Sequence, residues 1–309
     1  ISEFMDIDAV KILKNKYKVH YDTELWENQN ELKDLISKSR SLIVRNATQV
    51  NKDILNCSYD LKGIVRLGVG LDNIDLKTCQ SKGIKVFPAI GANANSVAEY
   101  VVAISIMLLR NHLFNSSSDV LRGNWDRKKY MNSREIFNKT IGIIGFGSIG
   151  QAVADKANLM GMKVLGYDNH IEKNSSVWLK GKKVDLTTLL ATSDIVTLHC
   201  PLLPETKNLI SEKEFKIMKK TSVLINAARG GVVNERDCLN AINNDQIFGA
   251  ALDTLAVEPI SSDVKSLFSG SKNLFLTPHI AGVTEDSNKR IAEFAVEKIN
   301  EILCIDFNY

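Results

Sequence analysis

Three charged side chains in the later part of the chain each follow an apolar run. Arg229 follows SVLINAA, Glu258 follows ALDTLAV, and His279 follows LFLTP. Alone, each has an ordinary structural interpretation, as a surface cation, a solvated loop acid or a core histidine. Together they are the groups that hydride transfer at a carbonyl requires. His279 would move the proton on the carbonyl oxygen, Glu258 would hold the imidazole, and Arg229 would grip an adjacent carboxylate.

The stretch INAARGGVVNE, residues 225–235, places Arg229 among small residues. A solvated arginine needs no such neighbours, whereas a planar guanidinium that stacks against a flat ligand does. The small neighbours therefore favour a binding role for this arginine.

A glycine-rich turn follows the predicted strand IGII. Its residues are Gly145, Phe146, Gly147, Ser148, Ile149 and Gly150. Gly145 permits a tight turn, Gly147 lets the backbone approach a pyrophosphate, and Gly150 lets the next helix pack closely, while the helix N-terminus holds the anion. Asp168 follows at about the 20-residue spacing of the carboxylate that binds the ribose of a dinucleotide. The turn alone could be a packing feature. With strand, helix and carboxylate in place it predicts NAD binding, because Asp168 would repel the 2′-phosphate of NADP.

The elements that must position these groups alternate along the whole chain. Short β-type runs and helical patterns predict an α/β fold with a mostly parallel sheet. In the first third, strands are predicted at 17–22, 41–46, 63–68 and 83–88, with helices between them such as 24–38 and 73–82. From residue 140 onward, strands are predicted at 140–145, 162–168, 193–200, 222–228, 248–254 and 273–279. The charged residues follow the later strands, where an open α/β sheet places its ligand.

The sequence also indicates where the chain passes between domains. A Gly/Asn-rich loop leads into Ser96, an N-cap candidate that forms a capping box with Glu99. We interpret the apolar helix that follows as the crossing into a second domain, and the amphipathic segment 284–303 as a closing helix that returns to the first. The prediction is a discontinuous substrate-binding domain, residues 1–94 plus 284–309, and an NAD-binding Rossmann domain, residues 95–283.

Composition excludes several classes of protein. The chain has 309 residues, 44% of them hydrophobic and 24% charged, and a formal net charge of +3. Because Lys and Arg are scattered, we predict no nucleic-acid partner, and the cluster Arg127-Lys128-Lys129 is too short to indicate one. The longest apolar run, 97–109, is interrupted by polar residues and predicts a buried helix rather than a membrane span.

The cysteines and the first residues indicate in which cellular compartment the protein is expected. Cys57, Cys79, Cys200, Cys238 and Cys304 show no metal-ligand spacing, so we predict reduced thiols, no metal and a cytoplasmic protein. The opening ISEF has no feature of a secretion signal. We interpret it as the end of a first strand whose beginning is trimmed, with an expression remnant as the alternative.

On these motifs the chain resembles the D-isomer-specific 2-hydroxyacid dehydrogenase family over essentially its full length. The motifs are RLGVGLDNIDL (66–76), NANSVAEY (93–100), GIIGFGSIG (142–150), HCPLLPET (199–206), NAARGG (226–231), ALDTLAVEP (251–259) and TPHIAG (277–282). The resemblance implies two Rossmann-like domains with the active site in the cleft between them, and NAD as cofactor. It also implies a homodimer formed through the cofactor domain, and Arg229, Glu258 and His279 as the catalytic set.

The resemblance implies roles for further residues as well. Asp253 would lie near the nicotinamide carboxamide, and Cys200 and Ala227 would line the cofactor site. The amides of Val69 and Gly70 would help to bind the substrate carboxylate. One departure is Thr254-Leu255-Ala256, which replaces bulkier residues that are commoner in the family.

Two arginines of the first domain indicate a substrate with a second anion. Arg45 ends SLIVR and Arg66 ends GIVR, although each could instead pair with a local acid. The stretch GNWDRKKYM (123–131) resembles phosphoglycerate dehydrogenases, in which the residue at the position of Arg127 reaches the substrate of the neighbouring subunit. Charge-assisted bonds from these arginines favour oxidation of D-3-phosphoglycerate to 3-phosphohydroxypyruvate in serine biosynthesis.

Other functions stay open. LGVGLDN and IGANANSVAEY also resemble enzymes that oxidise sulfolactate, whereas D-lactate or glyoxylate would need no additional arginine. Formate is disfavoured because Thr277-Pro278 stands where formate dehydrogenases have a glutamine before the histidine. The alternative of a different class is a binding protein, since NAD-sensing transcriptional corepressors share this fold and retain the same Arg, Glu and His. Turnover of a 2-hydroxy acid distinguishes the two.

Overall fold

The structure, a computed structural model, describes residues 1–110, 116–261, 267–268, 270 and 273–304. The chain divides into two compact units: residues 1–93 together with the chain from Val283 onward, and Ala94–Gly282. Each unit has its own parallel sheet and apolar core. Over the described residues, no helix is both long and apolar enough to cross a bilayer.

The first unit forms, within its described residues, a three-stranded parallel sheet. The strands, in spatial as in chain order, are β1 (Ser41–Val44), β2 (Gly63–Arg66) and β3 (Lys85–Pro88). Its helices are α1 (Ile7–Lys16), α2 (Gln29–Ser37), α3 (Lys52–Asn56), α4 (Leu76–Ser81) and the C-terminal helix (Glu285–Cys304), with a 3-10 turn at Leu25–Glu27. The side chain of an Asp or Asn accepts an amide hydrogen bond at the start of each of α1 to α4, which explains where these helices begin.

The C-terminal helix supplies much of the apolar core of this unit. Ile291 and Ile299 on its inner face pack with Val65 of β2 in one buried cluster. Gly63 permits the close approach, because a Cβ atom added there would lie 2.7 Å from Cδ1 of Ile302.

The predicted strand at 17–22 is wrong, and α1 before it was not predicted. Residues 17–22 pair with none of the described strands. Their alternating apolar residues, Tyr17, Val19 and Tyr21, do pack against the core of the unit. The period of two therefore reflects burial of one side of an extended segment, and it carries no information on whether a neighbouring strand completes a ladder.

The second unit forms, over the part of it that the structure describes, a seven-stranded sheet with all strands parallel. The strands are β4 (Thr140–Ile144), β5 (Lys163–Tyr167), β6 (Lys182–Lys183), β7 (Ile195–Leu198), β8 (Val223–Asn226), β9 (Gly249–Leu252) and β10 (Leu274–Leu276). All but the two-residue β6 fall within the predicted ranges. Their spatial order is β10-β9-β8-β7-β4-β5-β6, so the chain order reverses between β4 and β7. In such sheets the ligand binds beyond the carboxyl ends of the strands at the point of reversal.

Six α-helices accompany the sheet in the described part of this unit. They are α5 (Ala94–Leu109), α6 (Ser116–Leu121), α7 (Ser148–Leu159), α8 (Leu186–Thr192), α9 (Glu212–Ile217) and α10 (Glu235–Asn243), with 3-10 turns at Lys128–Tyr130 and Ser176–Lys180. The prediction of a buried helix is confirmed, because Val101 and Leu108 of α5 lie in the same core cluster as Ile225 of β8. The predicted capping box is wrong: α5 begins at Ala94, so Ser96 lies inside its first turn.

Candidate active site

The glycine turn joins β4 to α7 at the point where the strand order reverses. Gly145 has a φ of +88°, and a Cβ atom there would lie 2.7 Å from the backbone of His199 and Cys200, so the position requires glycine. A Cβ atom at Gly150 would lie 2.2 Å from the carbonyl oxygen of Gly145, which shows how closely α7 packs on the turn. At Gly147, by contrast, a Cβ atom would meet no described atom within 4 Å. Space is therefore open directly above the backbone of the turn.

The start of α7 fits an anion. Gly147 is the N-cap residue of this 12-residue helix, and it has no side chain with which to cap the amides of Ser148 and Ile149. These amides and the positive end of the helix dipole lie beside the open space. This is the arrangement that binds the pyrophosphate of a dinucleotide.

Asp168 follows β5 and is tied to the glycine turn. Its Oδ2 accepts a hydrogen bond from the amide of Phe146 at 2.9 Å, and its Oδ1 accepts one from the amide of His170 at 2.9 Å. An ionised carboxylate has about four acceptor sites, so two such bonds leave capacity for the hydroxyls of a ribose. The structure thus brings the predicted carboxylate and the predicted turn together, and these residues fit NAD.

The wall beside the turn is uncharged. Cys200 follows β7 and Ala227 follows β8, so both predicted lining residues lie at the carboxyl edge of the sheet. Burial raises the pKa of the Cys200 thiol to about 11 and lowers the pKa of His199 to about 3. Both side chains are therefore neutral near pH 7.

The three predicted catalytic residues follow three neighbouring strands. β8 pairs with β9 and β9 pairs with β10, all in parallel, so their carboxyl ends lie along one edge. Arg229 follows β8, Glu258 lies in the loop after β9, and His279 follows β10. Parallel pairing is thus what places residues that are far apart in the sequence beside one another.

Glu258 and His279 are directly hydrogen-bonded. Nδ1 of His279 and Oε2 of Glu258 are 2.8 Å apart, and Oε1 of Glu258 accepts the amide of Leu255 at 2.8 Å. Because Glu258 occupies Nδ1, acid–base chemistry falls to Nε2 of the imidazole. The side chains of His279 and Glu258 are 43% and 37% exposed, so the pair is accessible to a ligand.

Arg229 is held by the end of its own strand. Nδ2 of the buried Asn226 donates to the carbonyl oxygen of Arg229 at 3.0 Å, and its Oδ1 accepts the amide of Ala228 at 3.1 Å. Nη1 of Arg229 donates to the carbonyl oxygen of Ala228 at 2.7 Å. The guanidinium is thereby folded back against its loop.

The loops that carry Arg229 and Glu258 touch. A Cβ atom added at Gly230 would lie 1.9 Å from the carbonyl oxygen of Leu255, so only glycine permits this contact. Glu235, at the start of α10, accepts the amide of Ala256 in the same loop. Two of the three catalytic candidates are therefore carried on loops that support one another.

Asp253 holds the third loop. It is 2% exposed; its Oδ1 accepts the amide of Ile280 at 2.8 Å, and its Oδ2 accepts the amide of Ala281 at 2.9 Å. Its backbone carbonyl accepts the amide of His279 at 2.8 Å. The role of Asp253 at the nicotinamide stays a prediction, but these contacts already assign it the support of the segment that carries the histidine.

The predicted substrate residues Arg45, Arg66, Val69 and Gly70 lie in the first unit. β1 and β2 pair so that Val44 stands opposite Arg66, which places Arg45 and Arg66 at the same carboxyl edge of the sheet. Val69 and Gly70 follow in the loop after β2 and are partly exposed. Arg127 belongs to the second unit, where it is exposed at the start of a 3-10 turn.

Comparisons with known proteins identify the family of the chain. The family described as D-isomer specific 2-hydroxyacid dehydrogenase, NAD binding domain, matches residues 102–281. The (S)-sulfolactate dehydrogenase of Chromohalobacter salexigens is 40% identical over 304 residues, which are 98% of this chain and 97% of that protein. The chain belongs to the D-isomer-specific 2-hydroxyacid dehydrogenase family. It is an NAD-dependent 2-hydroxyacid dehydrogenase with the α/β fold predicted from its sequence.

Two further relatives are similar to the dehydrogenase along most of its length. The D-3-phosphoglycerate dehydrogenase of Synechocystis sp. is 36% identical over 303 residues, which are 98% of this chain but 53% of that protein. The chain thus spans about half the length of that relative. Among solved structures, the D-lactate dehydrogenase of Aquifex aeolicus complexed with NAD and lactic acid superposes with a TM-score of 0.78 at 31% identity, covering 89% of this chain and 86% of that one.

Sequence reasoning missed several residues that support the site of this dehydrogenase. Asn226 and Glu235 hold the loops of Arg229 and Glu258. Burial raises the pKa of Glu235, whose carboxyl also faces the charge of Glu258. The polar Asn226 at the end of the apolar run SVLIN was a usable signal, because a buried amide requires partners. No comparable signal marked Glu235, which resembles any acidic residue in the first turn of a helix.

Replacing Asp168 with alanine in the dehydrogenase is expected to raise the KM for NAD by about 10- to 100-fold, because charge-assisted bonds to the ribose are lost. The preference for NAD over NADP should fall, since the repulsion of a 2′-phosphate is removed. Steady-state kinetics with both cofactors measures the two effects.

Asp168 also anchors the amide of Phe146, so Asp168→Asn provides a matched variant that keeps an acceptor oxygen without the charge. Thermal unfolding of both variants reports any loss of fold. An unaltered ratio of NAD to NADP efficiency in both would contradict the ribose assignment.

Proposed function

We propose that this dehydrogenase interconverts a three-carbon 2-hydroxy acid that carries a second, terminal anion with the corresponding 2-oxo acid. The observation that carries the proposal is the position of Arg45 and Arg66 at one edge of the three-stranded sheet. An acid such as lactate has a single anion, for which Arg229 suffices. Two additional guanidinium groups fit a distal phosphate or sulfonate, which accepts charge-assisted and often bidentate bonds.

Arg66 lies directly against the loop that follows it. Gly68 has a φ of +153°, and a Cβ atom there would lie 1.6 Å from Nη1 of Arg66. Nη1 also donates to the carbonyl oxygen of Leu67 at 3.3 Å. The guanidinium therefore rests on the backbone just before Val69 and Gly70. A short substrate with anions at both ends can engage the amides of this loop and the guanidinium together.

Arg45 is supported by three neighbours of its own unit. Its Nη2 donates to Oδ1 of Asn288 at 3.1 Å, and its guanidinium lies 5.7 Å from the centre of the Phe4 ring. Burial lowers the pKa of Arg45, while the charge of Glu3 acts in the opposite direction. A partly buried guanidinium attracts the terminal anion of a substrate more strongly than an exposed guanidinium does, because less water screens the pair.

The groups of the chain divide the chemistry among them. The glycine turn and Asp168 would hold NAD, which would supply the hydride acceptor for oxidation and, in its reduced form, the hydride donor for reduction. Nε2 of His279 takes the proton of the substrate hydroxyl during oxidation and returns it to the carbonyl oxygen during reduction. Glu258 stabilises the imidazolium that results, and Arg229 binds the carboxylate and stabilises negative charge on the reacting oxygen.

(S)-Sulfolactate and D-3-phosphoglycerate are the two candidate substrates. Both place hydroxyl, carboxylate and terminal anion in the same spatial arrangement, since the (S) descriptor arises only because sulfur outranks oxygen in the naming of stereocentres. Identity of 40% along nearly the whole of both chains supports sulfolactate, which we rank first. The stretch GNWDRKKYM and the relatives that act on phosphoglycerate support D-3-phosphoglycerate and a place in serine biosynthesis, but this chain spans only about half their length.

Initial rates with NAD test the proposal. The panel comprises D-3-phosphoglycerate, both enantiomers of sulfolactate, D-glycerate and D-lactate, followed at the absorbance of NADH. D-Glycerate is the matched control, because it lacks only the terminal anion of phosphoglycerate. Highest kcat/KM for one of the two doubly anionic acids supports the proposal; equal or higher values for D-glycerate or D-lactate would overturn it. No turnover of any acid would favour the NAD-sensing binding role instead.

Replacing Arg66 with alanine is expected to raise the KM for the doubly anionic substrate by about 10- to 100-fold, the worth of a hydrogen bond between charged groups. The KM for D-lactate should change little, because lactate offers no distal anion. Arg40→Ala is a matched control, since Arg40 precedes the same sheet at the amino end of β1. Equal effects of Arg66→Ala on both acids would show that Arg66 does not read the distal anion.

We propose in addition that the dehydrogenase is a homodimer in which Arg127 serves the substrate of the partner. Support comes from the exposed apolar side chains on either side of it: Leu121, Trp125 and Met131 are 88%, 79% and 78% exposed. Large apolar side chains clustered on a surface are typical of protein–protein contacts. A monomer in sedimentation experiments would contradict this part of the proposal.

A further inference from the structure

The side chain of His279 is oriented both by its hydrogen bond to Glu258 and by its own backbone. The ring is 43% exposed, so packing holds it only in part. The backbone has a φ of +57°, a left-handed conformation that is unfavourable for a residue with a β-carbon. A conformation of this kind persists only where surrounding contacts impose it. The contacts that impose it here therefore also set where the imidazole points.

Asp253 makes those contacts. Its two carboxylate oxygens accept the amides of Ile280 and Ala281, and its backbone carbonyl accepts the amide of His279. One residue thus binds three successive amides of the loop. A carboxylate that is 2% exposed must itself be fixed by hydrogen bonds, because a buried charge without partners is costly.

A chain of hydroxyl groups extends from this carboxylate to α5. The hydroxyl of Thr277 donates to Oδ1 of Asp253 at 2.6 Å. Since its hydrogen is used in that bond, Oγ1 of Thr277 accepts from the hydroxyl of Tyr100, 2.7 Å away. Burial raises the pKa of Tyr100 to about 12, so the phenol stays a donor at physiological pH. Successive hydrogen bonds that end on a carboxylate reinforce one another.

We infer that Tyr100 is a positioning residue for the reaction: through Thr277, its hydroxyl fixes the carboxylate of Asp253, which fixes the backbone that presents His279. The inference rests on the proposed acid–base role of His279. Nothing in the sequence motif marks this function, because Tyr100 stands on a helix 179 residues before the histidine. It predicts that kcat depends on a hydroxyl group that is joined to the histidine loop only through Thr277 and Asp253.

The test uses the full chain with its best substrate and compares Tyr100→Phe, Thr277→Val and the double variant. Tyr100→Phe should lower kcat by about 3- to 10-fold, the worth of one hydrogen bond. KM for the hydroxy acid should not change. The double variant should lose no more than Thr277→Val alone, since the chain passes through Thr277. Thr277→Ser, which keeps the hydroxyl, should restore kcat.

Tyr17→Phe is the matched control. The hydroxyl of Tyr17 is also partly buried and donates to Oδ1 of Asn300 at 2.8 Å, but in the first unit. It should leave kcat unchanged. Wild-type kcat in Tyr100→Phe would overturn the inference. So would additive losses in the double variant, or a rise in KM for the hydroxy acid that matches the loss of kcat.

Amide hydrogen exchange provides a second readout that does not need turnover. Tyr100→Phe should speed exchange at Ile280 and Ala281, whose amides bind Asp253. If the wild-type protein turned over no hydroxy acid, the proposed function would fail, and the exchange rates would still decide whether the hydroxyl chain holds the loop. Unchanged exchange at both amides would overturn the inference.

Discussion

Asparagine in place of His279 is expected to lower kcat by about 10²- to 10⁴-fold, the usual contribution of a general acid–base group. An amide cannot exchange a proton with the substrate oxygen at neutral pH. Asparagine is the appropriate replacement because His279 has a φ of +57°, a region that asparagine enters more readily than most residues. The loop should therefore keep its shape while its chemistry is lost.

Steady-state rates measure the loss, and quenching of NADH fluorescence measures cofactor affinity, which should persist. Glu258→Gln is a graded companion, since it keeps an oxygen for Nδ1 of the imidazole while it removes the charge and the oxygen that accepts the amide of Leu255. Its loss should be smaller than that of His279→Asn. Near wild-type turnover in His279→Asn would remove the acid–base assignment.

Lysine in place of Arg229 is expected to lower kcat/KM by about 10²- to 10³-fold, although the positive charge is retained. An ammonium group is a point charge, whereas the planar guanidinium presents paired donors to a carboxylate and can reach the reacting oxygen as well. The shorter head group would also lose the bond from Nη1 to the carbonyl oxygen of Ala228. The loss of kcat/KM should therefore reflect the changed hydrogen-bond geometry, because the positive charge is retained.

Affinity for NADH serves as the control for Arg229→Lys and should not change. A variant at Arg236, a neighbouring arginine in the first turn of α10, tests whether any cation on this side of the sheet matters. Arg236→Lys should retain full kcat/KM. Wild-type efficiency in Arg229→Lys would show that charge alone suffices and that no bidentate grip exists.

Most strands of the second unit were predictable because they are mainly apolar. β4, β7, β8 and β9 are buried along almost their whole length, so burial leaves a direct trace in the sequence. β6 has no such apolar pattern in the sequence, since it consists of two lysines that extend the sheet by backbone pairing. Residues 17–22 gave the opposite error, because a strand was predicted where none forms. Their alternating apolar residues reflect packing against a core and not pairing with a neighbouring strand.

The position of the candidate site was predictable because its three charged residues follow the ends of strands. Arg229, Glu258 and His279 each follow an apolar run, and the parallel order of β8, β9 and β10 then brings them to one edge. What the sequence could not supply is the support. Tyr100 and Thr277 meet through hydroxyl groups, and neither periodicity nor propensity records a bond between side chains so far apart along the chain.

The reversal of strand order between β4 and β7 separates two properties of the enzyme. The turn after β4 and Asp168 after β5 lie on one side of it, and Glu258 after β9 and His279 after β10 lie on the other. With the roles proposed for these residues, cofactor preference and acid–base chemistry would be determined on opposite halves of one sheet. Replacing the few residues after β5 with ones that bind a 2′-phosphate would change the cofactor preference from NAD to NADP. The surroundings of the His279 imidazole would not change. In this fold, the preference for NAD or NADP can therefore evolve without a change in the acid–base residues.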